Sequence, residues 1–111
     1  MKEEKKIDLE EMALEIITNV GTARSMYVEA VEAAKAGNFE EAHNLVAEGE
    51  KIFVNGHHAH ADLVNAKIGV EELQYMFLVM HAEDQLMSAE TLKIVCDELI
   101  DMLEAKAKQA N

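Results

Sequence analysis

Residues 35–42 read KAGNFEEA, and this stretch decides the fold. It sets a helix stop directly against a helix start. Gly37 has no Cβ to clash and can take the left-handed backbone that ends a helix. Asn38 is then expected to cap the next helix through its side chain, with Glu41 three residues later completing a capping-box pattern. So short a connection folds the two flanking helices back on each other in antiparallel order.

Upstream of the turn, Leu9, Ala13, Ile16, Val20, Ala23, Tyr27, Ala30 and Ala34 recur at steps of three and four. They form one apolar stripe on a helix expected over about 7–36. Gly21 interrupts this helix at a cost of about 1 kcal/mol relative to alanine, which points to close packing there. Downstream, a second helix is expected over 39–67, with Ala42, Leu45, Gly49, Ile52 or Phe53, Gly56, His60 and Leu63 inward. Gly49 and Gly56 lie a heptad apart on that face and predict a close helix–helix approach. NAKIGVEELQ, residues 65–74, marks the second connection, with Gly69 as the break.

The third helix is expected over 70–108, roughly 55 Å long at about 1.5 Å per residue. Leu73, Met76, Met80, Met87, Ile94 and Asp101 share one register, and Leu78, Leu86, Cys96, Leu99 and Leu103 share another. A helix apolar around so much of its circumference needs more than two neighbours. Three helices of one chain cannot supply them, so self-association is expected. The lysines of the tail, EAKAKQAN, sit favourably at the negative end of the helix dipole.

Composition agrees with an all-α, antiparallel three-helix up-down-up bundle forming one domain over 1–111. The 111 residues include no proline, no tryptophan, two Tyr, three Phe and seven Met, so the apolar half comes from helix-favouring types. A formal net charge of −12 repels phosphate backbones and argues against nucleic acid. It suits weak, salt-sensitive contacts with basic protein faces. The single cysteine, Cys96, lies on an apolar register and reads as a buried structural thiol in a reducing compartment. The start, MKEEKKIDLEEM, lacks an apolar export core, and no run of about 18 apolar residues is available to span a membrane. A cytoplasmic location is expected.

Within the third helix, LVMHAEDQLM, residues 78–87, places His81 and Asp84 in apolar surroundings. Three residues apart, they project to one side of the helix. The plain reading is a core histidine with a nearby carboxylate. The functional readings are a metal-ligand pair, a proton carrier or a phosphate acceptor. If this helix lies on an oligomer axis, Asp84 side chains from several chains converge. Like charges about 4 Å apart repel by around 4 kcal/mol at an effective dielectric near 20. Such a cluster needs a bound cation or a shared proton.

GHHAHAD, residues 56–62, collects His57, His58, His60 and Asp62. His57 and His60 have the spacing of a metal-binding pair, although incidental imidazoles on a solvated helix are the simpler account. A metal-binding bundle using His57, His60, His81 and Asp84 is therefore the alternative function. Glu40-x-x-His43 matches the spacing used in di-iron bundles, but that chemistry needs two such motifs and only one is present.

VMHAEDQLMSAETLK resembles the phosphorylation-site segment of the enzyme IIA component of the lactose/cellobiose (diacetylchitobiose) class of the bacterial sugar phosphotransferase system. NVGTARSMYVEAVEAAKAGNFEEAHNLVAEGE is similar to that family's NxGxARS…AL…AKxGDFxxA helix-turn-helix, and HAHADLV lies where the family has its AHxxQ region. Gln85 stands where the family often has a histidine, and Glu83 replaces the usual glutamine. The resemblance implies a homotrimer of three-helix bundles. It implies that His81 receives a phosphoryl group from the histidine-phosphorylated carrier HPr, as a phosphohistidine, and passes it to a cysteine of the cognate enzyme IIB. It also implies that Asp84 gathers at the threefold axis around a divalent metal ion, commonly magnesium. The sugar taken up would be a beta-linked disaccharide such as lactose, cellobiose or diacetylchitobiose.

Overall fold

The computed structural model describes residues 8–66 and 69–110. Three long helices account for most of them: α1 over Leu9–Lys35, α2 over Phe39–Val64 and α3 over Met76–Gln109, with a short 3-10 helix over Val70–Tyr75 leading into α3. No strand occurs among the described residues.

All eight apolar positions of the α1 stripe are buried, from Leu9 to Ala34. Asp8 caps this helix, its carboxylate accepting the Glu11 N–H at 3.2 Å, and Glu10 and Glu11 lie favourably in the positive first turn. The expected residue Ile7 lies outside the described residues. At the other end Gly37 takes a φ of 87°. Its N–H donates to the Ala34 carbonyl at 3.0 Å, and the Asn38 N–H donates to Ala33 at 2.9 Å. These bonds use carbonyls that the helix end would otherwise leave unpaired.

Asn38 departs from expectation. It stands at the N-cap of α2 but makes no side-chain capping bond, and its backbone carbonyl accepts the Ala42 N–H at 3.0 Å. Glu40 and Glu41 supply the favourable charge in the first turn instead. α2 ends at Val64, and Lys67, the expected end, is outside the described residues. The third helix also starts later than its sequence suggests. The Glu72 carboxylate accepts the Gly69 N–H at 3.0 Å, and the backbone stays in the tighter 3-10 form until Met76.

Three clusters make up the core. Leu9, Ala13, Ile16 and Val20 of α1 meet Ala59 and Leu63 of α2 and Val79, Ala82, Leu86 and Ala89 of α3. Ala23, Tyr27 and Cys96 form the middle, with Phe53 against them. Ala30, Ala34, Ala42 and Ile100 close the far end. α1 packs against both other helices, whereas α2 and α3 meet each other far less. Their seam is polar: His60 with Glu83 at 2.6 Å, Lys93 with Glu50 at 3.6 Å, and His43 with Glu104 at 2.7 Å.

The two α2 glycines allow the close approach that their spacing predicts. A Cβ on Gly49 would lie 2.8 Å from Cε1 of Tyr27, and one on Gly56 would lie 2.9 Å from Cγ1 of Val20. Gly21 is different: nothing would stand within 4 Å of its Cβ, so the expected close packing there is absent. It lines an open groove between α1 and α3 with Arg24, Ser25, Val28 and Leu92.

α3 uses only part of its apolar surface within the chain. Val79, Ala82, Leu86, Ala89, Cys96 and Ile100 are buried. Phe77, Met80, Met87 and Ile94 are 84%, 59%, 62% and 60% exposed, and Leu73, Val95, Leu99 and Met102 extend the uncovered surface. At about 100° per residue, most of these side chains form one continuous outward stripe. Cys96 is buried, and burial, more than the nearby Asp97 charge, pushes its thiol above the ordinary range, in line with a structural thiol.

Two stability tests follow from the α1–α2 contact. Gly49→Ala should lower the unfolding free energy by about 1–3 kcal/mol, since the fixed Tyr27 ring leaves no room for the methyl. Gly21→Ala should instead raise it by about 0.5–1 kcal/mol through helix propensity; urea titrations of both variants decide. The second test concerns Tyr27, whose ionisation is pushed well above its ordinary value of 10.0 by burial and then by Glu50. Only the unfolded chain can then ionise this phenol readily, so stability should fall as pH rises past about 10. Tyr27→Phe should make that alkaline loss shallower, as measured by urea midpoints between about pH 8 and 11.

Candidate functional site

The second and third turns of α3 distribute successive side chains to different neighbours. Ala82 and Leu86 point into the core and fix the rotation of the helix. With that rotation set, Glu83 reaches α2, where its carboxylate meets His60 Nε2 at 2.6 Å. Gln85 reaches α1, where its amide oxygen accepts from Arg24 Nη1 at 2.6 Å. Asp84 falls on the outward stripe, between Met80 and Met87, and is exposed. His81 is exposed as well, one turn before Gln85 on the groove side of the stripe.

His81 and Asp84 therefore share an open side of α3, as their spacing predicts. Neither is a core group, so the plain reading of a buried, mutually satisfied pair does not hold. An exposed imidazole with an available ring nitrogen is a competent nucleophile near neutral pH. Two packed helices hold its carrier in place: the His60–Glu83 contact on one side and the Arg24–Gln85 contact on the other.

The remaining candidates are spread out. His57 is exposed, its ring stacked on Phe53 with centroids 6.4 Å apart, and His58 is exposed. His60 is engaged with Glu83 instead of with His57. His43 pairs with Glu104 across the polar seam, not with a second carboxylate–histidine motif. Among the described residues there is no group of three or more His, Cys, Asp or Glu placed to hold a metal ion. The four-residue metal reading gains no support within one chain. A cation at Asp84 would need carboxylates from further copies, and the exposed position of Asp84 on an uncovered stripe is compatible with that.

Sequence spacing missed both supporting contacts. Arg24 and Gln85 are 61 positions apart and His60 and Glu83 are 23 apart, beyond any local pattern. The one available signal was compositional, since Arg24 is the only arginine of the chain. No helix among the described residues is long and apolar enough to cross a membrane.

Comparison with known proteins places this arrangement. The family described as PTS system, Lactose/Cellobiose specific IIA subunit, matches residues 11–104. The chain is 32% identical over 102 residues to the lichenan-specific phosphotransferase enzyme IIA component of Bacillus subtilis, covering 92% of this chain and 93% of that protein. It is 32% identical over 97 residues to the oligo-beta-mannoside-specific EIIA component of the same organism, covering 87% and 88% respectively. It is 36% identical over 102 residues to the lactose-specific EIIA component of Lactococcus lactis, covering 89% and 97%. No solved structure matches at comparable significance. With the exposed histidine of α3 inside the matched span, the chain belongs to the lactose/cellobiose-specific IIA family of the sugar phosphotransferase system.

Proposed function

We propose that this chain is a phosphocarrier in which His81 accepts a phosphoryl group from phospho-HPr and passes it to a cysteine of the cognate enzyme IIB. The observation that carries this reading is the exposed ring of His81 on a long helix, beside an apolar surface that none of the described residues covers. A neutral ring nitrogen attacks phosphorus in line with the departing imidazole of the donor, and the resulting phosphohistidine is labile enough to pass the group on. Little machinery is required beyond positioning, because the transferred group needs placement and charge stabilisation more than covalent activation. The acidic exterior, at a formal charge of −12, favours partners with basic faces held weakly enough to leave after each transfer.

The active form is a homotrimer of up-down-up bundles. The three core clusters support the up-down-up course: the start of α1 meets the end of α2 and the start of α3, and the far cluster reverses these pairings. The outward stripe of α3, from Leu73 to Met102, supports assembly, since a large exposed apolar surface on a small bundle is costly unless a partner covers it. Packing three such stripes together brings the Asp84 carboxylates to the axis. Their mutual repulsion calls for a divalent cation, with magnesium as the ion of choice for a small all-oxygen site. Work in the cytoplasm fits a carrier between two phosphotransfer proteins. Relatives named for lactose, lichenan and oligo-beta-mannoside support a beta-linked saccharide as the cargo of the system, such as lactose, cellobiose or diacetylchitobiose.

Incubation with phosphoenolpyruvate, enzyme I and HPr should add one acid-labile phosphate per chain, and His81→Ala should abolish the labelling. Labelling that persists in this variant would move the acceptor elsewhere. Light scattering should report about three times the 12.4 kDa chain mass. Met80→Glu should shift the protein to smaller species by placing a charge in the stripe, and Asp84→Asn should make assembly independent of divalent ions. A wild-type monomer at working concentration would refute the trimer.

A further inference from the structure

We propose that Arg24 is a catalytic residue of the phosphotransfer, its guanidinium taking the oxygens of the phosphoryl group at His81 while Gln85 holds it in place. This rests on the reading of His81 as the phosphoryl acceptor. Three observations point to the arginine. Its Nη1 donates to the amide oxygen of Gln85 at 2.6 Å, and Gln85 lies one helical turn after His81 on α3. Residues four apart on a helix have Cβ atoms about 5–6 Å from each other, and helical side chains lean toward the N-terminus, so the Gln85 amide leans toward His81. The guanidinium is thereby tied to the residue one turn beyond His81 on the same face of α3.

The second observation is what Arg24 is bonded to. Lys35, Lys51, Lys93 and Lys108 each pair with a carboxylate. Arg24, in a chain with twenty-two acidic residues, is held by a neutral amide, which positions the cation without cancelling its charge. Third, its Nε is buried and has no hydrogen-bond partner among the described residues, a cost in free energy that a side chain kept only for its protein contacts would avoid. A guanidinium binds phosphate oxygens through its N–H donors, and a single neutral acceptor leaves Arg24 with donors to spare for a phosphoryl group brought to the groove. The surrounding groove, lined by Gly21, Ser25, Ser88 and Thr91, is open to a partner protein.

The step balances without any further reactant. The lone pair of a His81 ring nitrogen forms the new N–P bond as the donor's N–P bond breaks, its electron pair returning to the donor imidazole. Arg24 exchanges no proton and only offsets the charge on the three equatorial oxygens. A purely structural Arg24 would tie α1 to α3 and affect stability alone.

The test uses the whole chain with enzyme I, HPr and phosphoenolpyruvate, measuring single-turnover transfer to His81 and the pH titration of the phosphohistidine by phosphorus NMR. Arg24→Gln should slow transfer tenfold or more and raise the titration midpoint, since the dianion loses its counter-charge. Arg24→Lys should recover part of both effects. Gln85→Glu keeps the α1–α3 link as an ion pair while neutralising the guanidinium. It should therefore transfer at least tenfold more slowly with no loss of thermal stability. Wild-type transfer by Gln85→Glu, or an unchanged midpoint in Arg24→Gln, overturns the assignment while leaving His81 as acceptor. Failure of wild-type protein to take label at His81 overturns both.

Discussion

The approach of α2 to α1, with Gly49 under the Tyr27 ring and Gly56 under Val20, constrains everything else in the molecule. Where Cβ atoms are missing, two helices can lie closer than side chains ordinarily permit. The α1 stripe is therefore shared: α2 covers one flank with small residues, and α3 covers the other with Ala82, Leu86, Ala89, Cys96 and Ile100. α2 and α3 meet each other far less, and ionisable groups line their seam. A bundle built this way is thin, with extents of 66, 29 and 15 Å. Among the described residues no fourth helix covers the outer side of α3.

That geometry places the site. Because α3 is held by α1 and α2 from two sides, consecutive residues near its start must divide among core, two helices and open space. Ala82 goes inward, Glu83 to His60, Gln85 to Arg24, and His81 and Asp84 outward. The same rotation that buries one alanine thus exposes the imidazole and locks its neighbours. These contacts follow closely on the 3-10 segment, which ends at Tyr75, six residues before His81.

The strength of a sequence signal here tracks how local its cause is. The α1 stripe was legible to the residue because periodicity alone determines which side faces the core, and Gly37 was legible because only glycine takes that backbone cheaply. Asn38 departs from its pattern because its backbone, at φ −90° and ψ 70°, lies outside the extended conformation usual for a capping residue, and no side-chain cap forms. Gly21 was misread because a glycine beside an open groove and one under a neighbouring ring look alike in sequence. The late start of α3 goes with Glu72–Gly69 hydrogen bonds that helical periodicity does not encode. For the site, His81 and Asp84 were visible from their helical spacing, and the family resemblance assigned them roles. The arginine and histidine that brace them come from other helices, and only the folded chain brings them near.

Charge gives the proposed chemistry its direction. A phosphoryl group added to a chain already at −12 enters an unfavourable field, and one guanidinium nearby offsets only part of it. A site with many cations would bind the phosphate deeply and release it slowly. A site with none would accept it poorly, since charge on the equatorial oxygens would be unscreened in transit. One arginine, held by a neutral amide on the open side of α3, lies between these limits. In the proposed chemistry the phosphorylated state would then stay high enough in free energy to hand the group to a thiolate, which is the physical requirement on any carrier that stores nothing for itself.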